Sequence, residues 1–415
     1  MVHTNWAGNI TFGAREVHRP GAVDEVRALV AGAGRVRALG SGHSFNRIAD
    51  TDGELISLAG LPPRVEIDAA ASRVTVAGGL RYGDFADRLY AAGFALPNLG
   101  SLPHISVAGA VATATHGSGV RNTSLASSVS GLELVTAEGE LVEIRRGHPD
   151  FAGMVVGLGG FGVVTALTLD LVPGFEIAQY VYDRLPAEEF AGHAQEILGA
   201  GYSVSVFTTW RTDQLDQVWV KGPRTQDVPG PRWFGATRAD GPRHPVPGMD
   251  TRHCTTQLGE PGPWQHRLPH FRMDFTPSTG RELQSEFFVP RANVVAAYRA
   301  LDTIRDRMSP LVQTCEIRTI AAEGLWLSPA AERDSAAFHF TWIDDTPAVT
   351  ALLPVIEELL SPFAVRPHWG KLFTCDAATL RTRYDHYADF ERLLAHYDPG
   401  GKFGNDFLDR HFTRA

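Results

Sequence analysis

Cysteine is scarce in this 415-residue chain, which contains only Cys254, Cys315 and Cys375. They are odd in number, far apart and without C-x-x-C spacing, which excludes a disulfide framework or a cysteine zinc site and points to a reducing compartment. Histidine is plentiful, at sixteen residues, yet none of them forms H-E-x-x-H or another tight ligand spacing, so no metal is expected. Positive charge is in deficit. With 38 Lys and Arg against 47 Asp and Glu, the net charge is -9 and the pI is near 6.0, which argues against nucleic acid or another polyanion as partner. Internal repeats and low-complexity tracts are absent. So are membrane-length apolar runs: residues 151–172 come nearest but are broken by Gly157, Gly159, Gly160, Gly162 and Asp170, whereas a span needs about twenty predominantly apolar residues. That stretch reads as strand, glycine turn, strand. Met1-Val2-His3-Thr4-Asn5-Trp6 has neither a basic start nor an apolar core, so no secretory signal is expected and the chain is placed in the cytoplasm, away from membranes.

What remains is an ordinary globular composition, with 44% hydrophobic and 20% charged residues, in a chain longer than one core usually supports. Two domains are expected. Val23, Val26, Leu29 and Val30 have helical spacing ahead of Gly32. A strand-like run from Val36 to Leu39 follows, then Val74 and Val76 alternate, then Tyr82, Phe85, Ala86, Leu89 and Tyr90 return to helical spacing. Beyond Pro173, runs at 203–210, 284–289, 314–320 and 338–343 predict an antiparallel sheet, and Phe390, Leu393, Leu394 and Tyr397 a last amphipathic helix. The proline- and glycine-rich residues 222–263 are too many for a hairpin loop and either wrap the sheet or cover a site.

Two glycine-rich segments carry the chemistry. In Arg37-Ala38-Leu39-Gly40-Ser41-Gly42-His43-Ser44-Phe45-Asn46 a histidine follows a flexible loop straight off a strand, and the glycines let backbone N–H groups converge on an anion. Residues 100–119 are denser in small and hydroxylated side chains than a core needs. Gly157-Leu158-Gly159-Gly160-Phe161-Gly162 matches G-x-G-x-x-G, but that fingerprint must open a helix, and the β-branched residues 163–172 predict a strand. The glycines therefore make a tight turn or line a groove. Glu316 and Arg318, two apart in a strand-like run, share one face; a surface cross-strand ion pair is the plain alternative. His339 and Thr341 likewise share a face, opposite Phe338, Phe340 and Trp342.

In order and spacing, Asn5-Trp6-Ala7-Gly8-Asn9, the His43 loop, residues 101–119, residues 158–164, Glu316-Ile317-Arg318, His368-Trp369-Gly370-Lys371 and Asp398-Pro399-Gly400-Gly401-Lys402-Phe403 resemble the vanillyl-alcohol oxidase and p-cresol methylhydroxylase flavoproteins. Within that family the chain is similar, over nearly its whole length, to the bacterial alditol oxidases. The resemblance implies a two-domain α+β flavoprotein. A PCMH-type FAD-binding domain would be formed by residues 1–173 and completed by 372–415, with an antiparallel-sheet substrate domain, 174–371, inserted between them. It implies FAD held by Leu39, Gly40, Ser41, Gly42, His43, Ser44, Phe45, Ser101, Ser106, Gly109, Thr113, Thr115, His116, Gly117, Gly162, Val163 and His368. His43 matches the family position bonded covalently to the flavin 8-methyl carbon, a role that suits a neutral imidazole; local sequence alone leaves a phosphate-binding histidine equally open. His116 is either structural or part of the cofactor loop.

The substrate site implied is Ser101, Glu316, Arg318, Thr341 and Lys371, with Lys371, Arg318 and Glu316 catalytic. The implied reaction oxidises the terminal primary hydroxyl of alditols such as xylitol or sorbitol to the aldose, with hydride to flavin N5 and dioxygen leaving as hydrogen peroxide. Arg318 and Lys371 would stabilise charge on the substrate oxygen, while Glu316 accepts hydroxyl hydrogen bonds or acts as base. A site built to bond hydroxyls rejects analogues lacking them. The expected partners are a small polyol and dioxygen, and the expected state is a monomer. An aldonolactone oxidase or dehydrogenase of the same fold, or a non-catalytic flavin- or carbohydrate-binding protein, are the alternatives.

Overall fold

The computed structural model describes residues 3–225, 227–275 and 282–413. Met1 and Val2, used in reading the N-terminus, and Gln226, within the 222–263 stretch, lie outside them. The helix Val23–Gly32 buries Val26 and Val30, as its spacing requires, and leads into the strand Val36–Leu39. That strand pairs in parallel with Glu54–Ser57, which pairs in parallel with Glu16–His18. An antiparallel sheet follows, in the order Val65–Asp68, Arg73–Ala77, Val163–Asp170, Val129–Val135, Leu141–Arg145, with the helix Tyr82–Ala91 burying Tyr82, Phe85, Ala86 and Leu89.

Residues 151–155 correct one expectation: Phe151–Val155 is a helix, not a strand. Phe151, Met154 and Val155 recur at helical spacing and are buried together, and Met154 N–H donates to Asp150 O at 3.0 Å. The glycine turn then leads into the strand Val163–Asp170, so the G-x-G-x-x-G string does not open a helix. The C-terminus returns to this half of the molecule. Buried Arg37 donates to Leu158 O and Gly159 O and also to Phe403 O, each at 2.8 Å, and Asn405 Nδ2 donates to Ile48 O and Asp50 O.

Residues 176–367 build a larger sheet, ten-stranded among the described residues and antiparallel throughout. Its centre runs Gln214–Pro223, Ser203–Thr208, Val312–Ile320, Ser335–Ile343, Glu282–Pro290. Alternation along each strand divides the two faces. Cys315, Ile317, Phe338, Phe340, Leu283 and Phe287 point into an apolar core shared with residues of the helices Ala187–Leu198, Val294–Asp302 and Thr346–Leu360. The opposite face carries polar side chains in register. Phe207 stands opposite Glu316, Glu316 opposite His339, and His339 opposite Glu286; the adjacent row is Thr314, Thr341 and Gln284. The architecture is α+β.

Candidate active site

A cavity of about 880 Å³ separates the polar sheet face from the glycine loops, a size at the upper end of the usual range for cofactor and small-molecule sites. One wall is the His43 loop. Gly42 has φ +70°, a left-handed conformation that glycine adopts without strain, and a Cβ on Gly40 would stand 2.4 Å from Ser106 Oγ. That close approach allows a reciprocal clamp in which Ser41 N–H donates to Ser106 Oγ at 3.2 Å and Ser106 N–H to Ser41 Oγ at 3.1 Å. The N-terminal segment braces the loop from behind through Trp6 N–H to Gly42 O and Asn5 Nδ2 to Ser44 O. His43 stacks on Trp6 with ring centroids 4.9 Å apart, and its Nδ1–H donates to Ser41 O at 3.1 Å. Burial draws its pKa down to about 4, so the ring is neutral at physiological pH.

The far end holds the charges. Glu286, 1% exposed, accepts from Arg318 Nη2 at 2.6 Å and lies 3.2 Å from Lys371 Nζ and 3.1 Å from His116 Nε2. Glu316, also buried, accepts from His270 Nε2–H at 2.8 Å and lies 3.6 Å from both Arg318 Nε and His339 Nδ1. Burial opposes ionisation of both carboxyls, but Lys371 and Arg318 hold Glu286, and Arg318 and His270 hold Glu316, well below the usual carboxylate range. Burial likewise draws Lys371 down against the attraction of Glu286. Two anions thus face two cations, while burial keeps His270 and His339 neutral, at about 4 each. Arg318 Nη1 is 3.4 Å from Ser101 Oγ. The loop bearing Lys371 is tied to the His43 loop: Phe45 N–H donates to Gly370 O at 2.8 Å and Asn46 Nδ2 to Lys371 O at 2.7 Å.

Of the residues singled out from sequence, Leu39 to Phe45, Ser101, Ser106, Gly109, Thr113, Thr115, His116, Gly162, Glu316, Arg318, Thr341, His368 and Lys371 line this one cavity. Gly117 and Val163 do not. Gly117 packs against Asn98 and Leu99, and Val163 enters a core with Val26 and Val30, so strand alternation gives the cavity Val164 instead. Glu316 and Arg318 are not a surface pair, being 3% and 4% exposed. Within the 222–263 stretch, His244, Pro245, Val246, Met249, Asp250, Arg252 and His253 line the cavity, the second of the two roles open for it. Sequence reading missed Glu286 and His270. The signal for Glu286 was the period-two polar series Glu282, Gln284, Glu286 in a strand-like run; nothing local marks His270.

Three neutral histidines, His270 buried and His43 and His339 half-buried, fix a pH dependence. The unfolded chain protonates His43, His270 and His339 near 6.5, but the folded chain only near 4. Their contribution is full above pH 6.5 and is lost as pH falls toward 4, because the unfolded state then binds more protons. The midpoint of thermal unfolding, followed by calorimetry, is therefore expected to drop steadily between pH 6.5 and 4. A flat midpoint over that interval would contradict it.

The donor set fits a flavin dinucleotide: bare glycine backbone and small hydroxyls along one wall, apolar Leu39, Phe45, Ala108 and Val164 beside them, and paired charges beyond. Among the described residues no helix is long and apolar enough to cross a membrane. Residues 14–145 match the family described as FAD binding domain, and residues 275–411 match D-arabinono-1,4-lactone oxidase. The chain is 51% identical to an alditol oxidase from a Streptomyces species, over 98% of this chain and 97% of that one. It is 30% identical to an L-gulono-1,4-lactone dehydrogenase of Mycobacterium tuberculosis, over 99% and 98% of the two chains. A solved solvent-stable cholesterol oxidase has the same fold, with TM-score 0.79 at 17% identity over 99% of this chain and 97% of that one.

Proposed function

This chain belongs to the FAD-binding oxidoreductase family of the alditol oxidases, and from that premise we propose that it oxidises the terminal primary hydroxyl of a polyol, such as xylitol or sorbitol, to the aldose. The observation that carries the reading is the buried centre Glu286, Arg318, Glu316 and Lys371 on one side of a cavity whose other side is the glycine and hydroxyl wall. FAD, held along the glycine and hydroxyl wall, would supply the electron acceptor, hydride going to N5 and dioxygen leaving as hydrogen peroxide. The remaining work falls to the protein. Lys371 and Arg318 present N–H donors to the substrate oxygen as its proton leaves, where fixed charges in a dry site are most effective. Glu316 is held ionised, with one oxygen engaged by His270, so the other can take the proton that leaves the substrate hydroxyl. Ser101 and Thr341 supply neutral hydroxyls for further positions of the chain, which favours polyols over simple alcohols.

In this reading residues 1–173 with 372–415 form the cofactor-binding part and 174–371 the substrate part, supported by the hydrogen bonds of Arg37 to Phe403 and of Asn405 to Ile48. His43 is the covalent anchor for FAD, supported by its neutral ring on the cavity wall. The sugar-lactone relatives give the competing reading. An anaerobic screen of flavin bleaching across xylitol, sorbitol, aldonolactones and hydroxy acids tests it: reduction by polyols is expected, and reduction by lactones alone would replace the proposal.

Gly100 offers a separate test of oxygen access. It lines the cavity, and a Cβ there meets its nearest protein atoms at 3.6 Å, an ordinary contact. A larger side chain at Gly100 would therefore extend into the cavity beyond these contacts. Gly100→Val is expected to slow reoxidation of reduced flavin by dioxygen about tenfold or more, a barrier increase of roughly 1.4 kcal/mol or more, with flavin reduction by polyol less affected. Stopped-flow mixing of reduced protein with oxygenated buffer reads this directly; an unchanged rate removes the role.

A further inference from the structure

Lys221 is 1% exposed and forms no part of the cavity wall. It lies on the strand Gln214–Pro223, where Gln217 is opposite Phe207 and Lys221 opposite Ser203, so it shares the sheet face of the row containing Glu316. Its Nζ is 2.6 Å from Leu268 O, 3.1 Å from Pro269 O and 3.1 Å from His270 Nδ1. Burial draws its pKa down to about 7; in the ammonium form it has three donors and no acceptor, and three acceptors surround it. His270 Nδ1 must then be the bare, lone-pair nitrogen. The ring proton sits on Nε2, which is aimed at Glu316 Oε1, 2.8 Å away.

We propose that Lys221 is a positioning residue for the oxidation, acting through His270: it fixes the Nε2–H tautomer that holds one oxygen of Glu316 and leaves the other for substrate. The inference rests on the reading of Glu316 as an active-site carboxylate. The surroundings leave His270 no competing instruction. Phe207 and Trp219 meet its ring edge-on, with centroids 5.6 and 5.1 Å away. Glu316 favours the ammonium against burial and Arg318 opposes it, while burial keeps the nearby Cys254 thiol protonated and uncharged. Trp219 presents its ring to the ammonium at 5.8 Å. With the other tautomer, the lone pair of Nε2 would oppose a carboxylate oxygen at hydrogen-bond distance, and Glu316 would turn or take up a proton. Orienting groups of this kind act on a neighbour they never leave.

Histidine-selective ¹⁵N labelling of the holoprotein reads the tautomer without turnover, with His270 assigned by its loss in His270→Gln. The parent is expected to show His270 protonated at Nε2 alone. In Lys221→Met the tautomers mix, and flavin reduction at saturating xylitol slows about tenfold while half-saturation moves less than about twofold, the pattern of a lost orienting contact rather than lost binding. Lys221→Gln keeps an N–H donor toward Nδ1 and is expected to recover both the tautomer and most of the rate. An unchanged tautomer in Lys221→Met, or a Lys221→Gln protein that keeps the tautomer yet is equally slow, overturns the proposal. If Lys221→Met does not fold, His270→Gln, which still donates toward Glu316, and His270→Phe, which does not, decide the matter: equal reduction rates overturn it. If no polyol reduces the parent, the functional reading has failed, and the tautomer comparison still tests the hold of Lys221 on His270.

Discussion

Lys371→Ala is expected to keep its FAD and to be reduced by polyol on the order of 10²- to 10³-fold more slowly, the usual loss for one donor aimed at developing negative charge. The geometry makes this a clean substitution. Glu286 loses the ammonium at 3.2 Å but keeps Arg318 at 2.6 Å, so no carboxylate is left buried without a cation. Arg318→Ala is different, because it strips the guanidinium from Glu286 and Glu316 together. Breaking buried pairs in that way typically costs about 3–5 kcal/mol of stability, and a loss of activity there would report folding as much as chemistry. Rapid-mixing anaerobic reduction of the Lys371→Ala holoprotein, with the flavin spectrum checked beforehand, is the decisive measurement. A rate within threefold of the parent would remove Lys371 from the reaction.

His43→Ala is expected to convert the flavin from a group that stays with acid-precipitated protein to one released entirely into the supernatant. The change is all-or-none because it concerns a covalent bond and not an affinity. The structure supplies what the bond needs on the protein side: a ring held against Trp6, kept neutral by burial, on a loop that Phe45 and Asn46 fasten to the Trp369–Lys371 segment. A neutral imidazole has a free lone pair for bond formation, whereas imidazolium has none. Flavin already extractable from the parent protein would end the assignment.

The parts of the site legible in the sequence are those whose signal is local. Gly40 and Gly42 around Ser41 and His43 announce a loop whose backbone is exposed to a ligand, and Glu316 with Arg318 obeys strand parity. Glu286 escaped notice because alternating polar residues in a strand are ordinarily its solvated face; only the sheet register, which sets Glu286 against His339, shows that this face is covered. His270 belongs to no regular element and reaches Glu316 through tertiary packing alone. Val163 stands one residue out of phase with Val164, so with period two its side chain enters the core while that of Val164 lines the cavity. The helix Phe151–Val155 was misread because so short an apolar run does not distinguish its period by itself.

The row Phe207, Glu316, His339, Glu286 also bears on when the chain becomes competent. Its members come from four strands reached out of sequence order, with Glu316 flanked by the strand Ser203–Thr208 on one side and Ser335–Ile343 on the other. Glu316 and His339 lie on consecutive strands, but Phe207 and Glu286 join them only by closing much longer stretches of chain, which makes those contacts late and slow. Until they form, both carboxylates remain hydrated. Arg318 travels with Glu316 on one strand, so the burial of Glu286 is expected to coincide with its meeting Arg318 and Lys371.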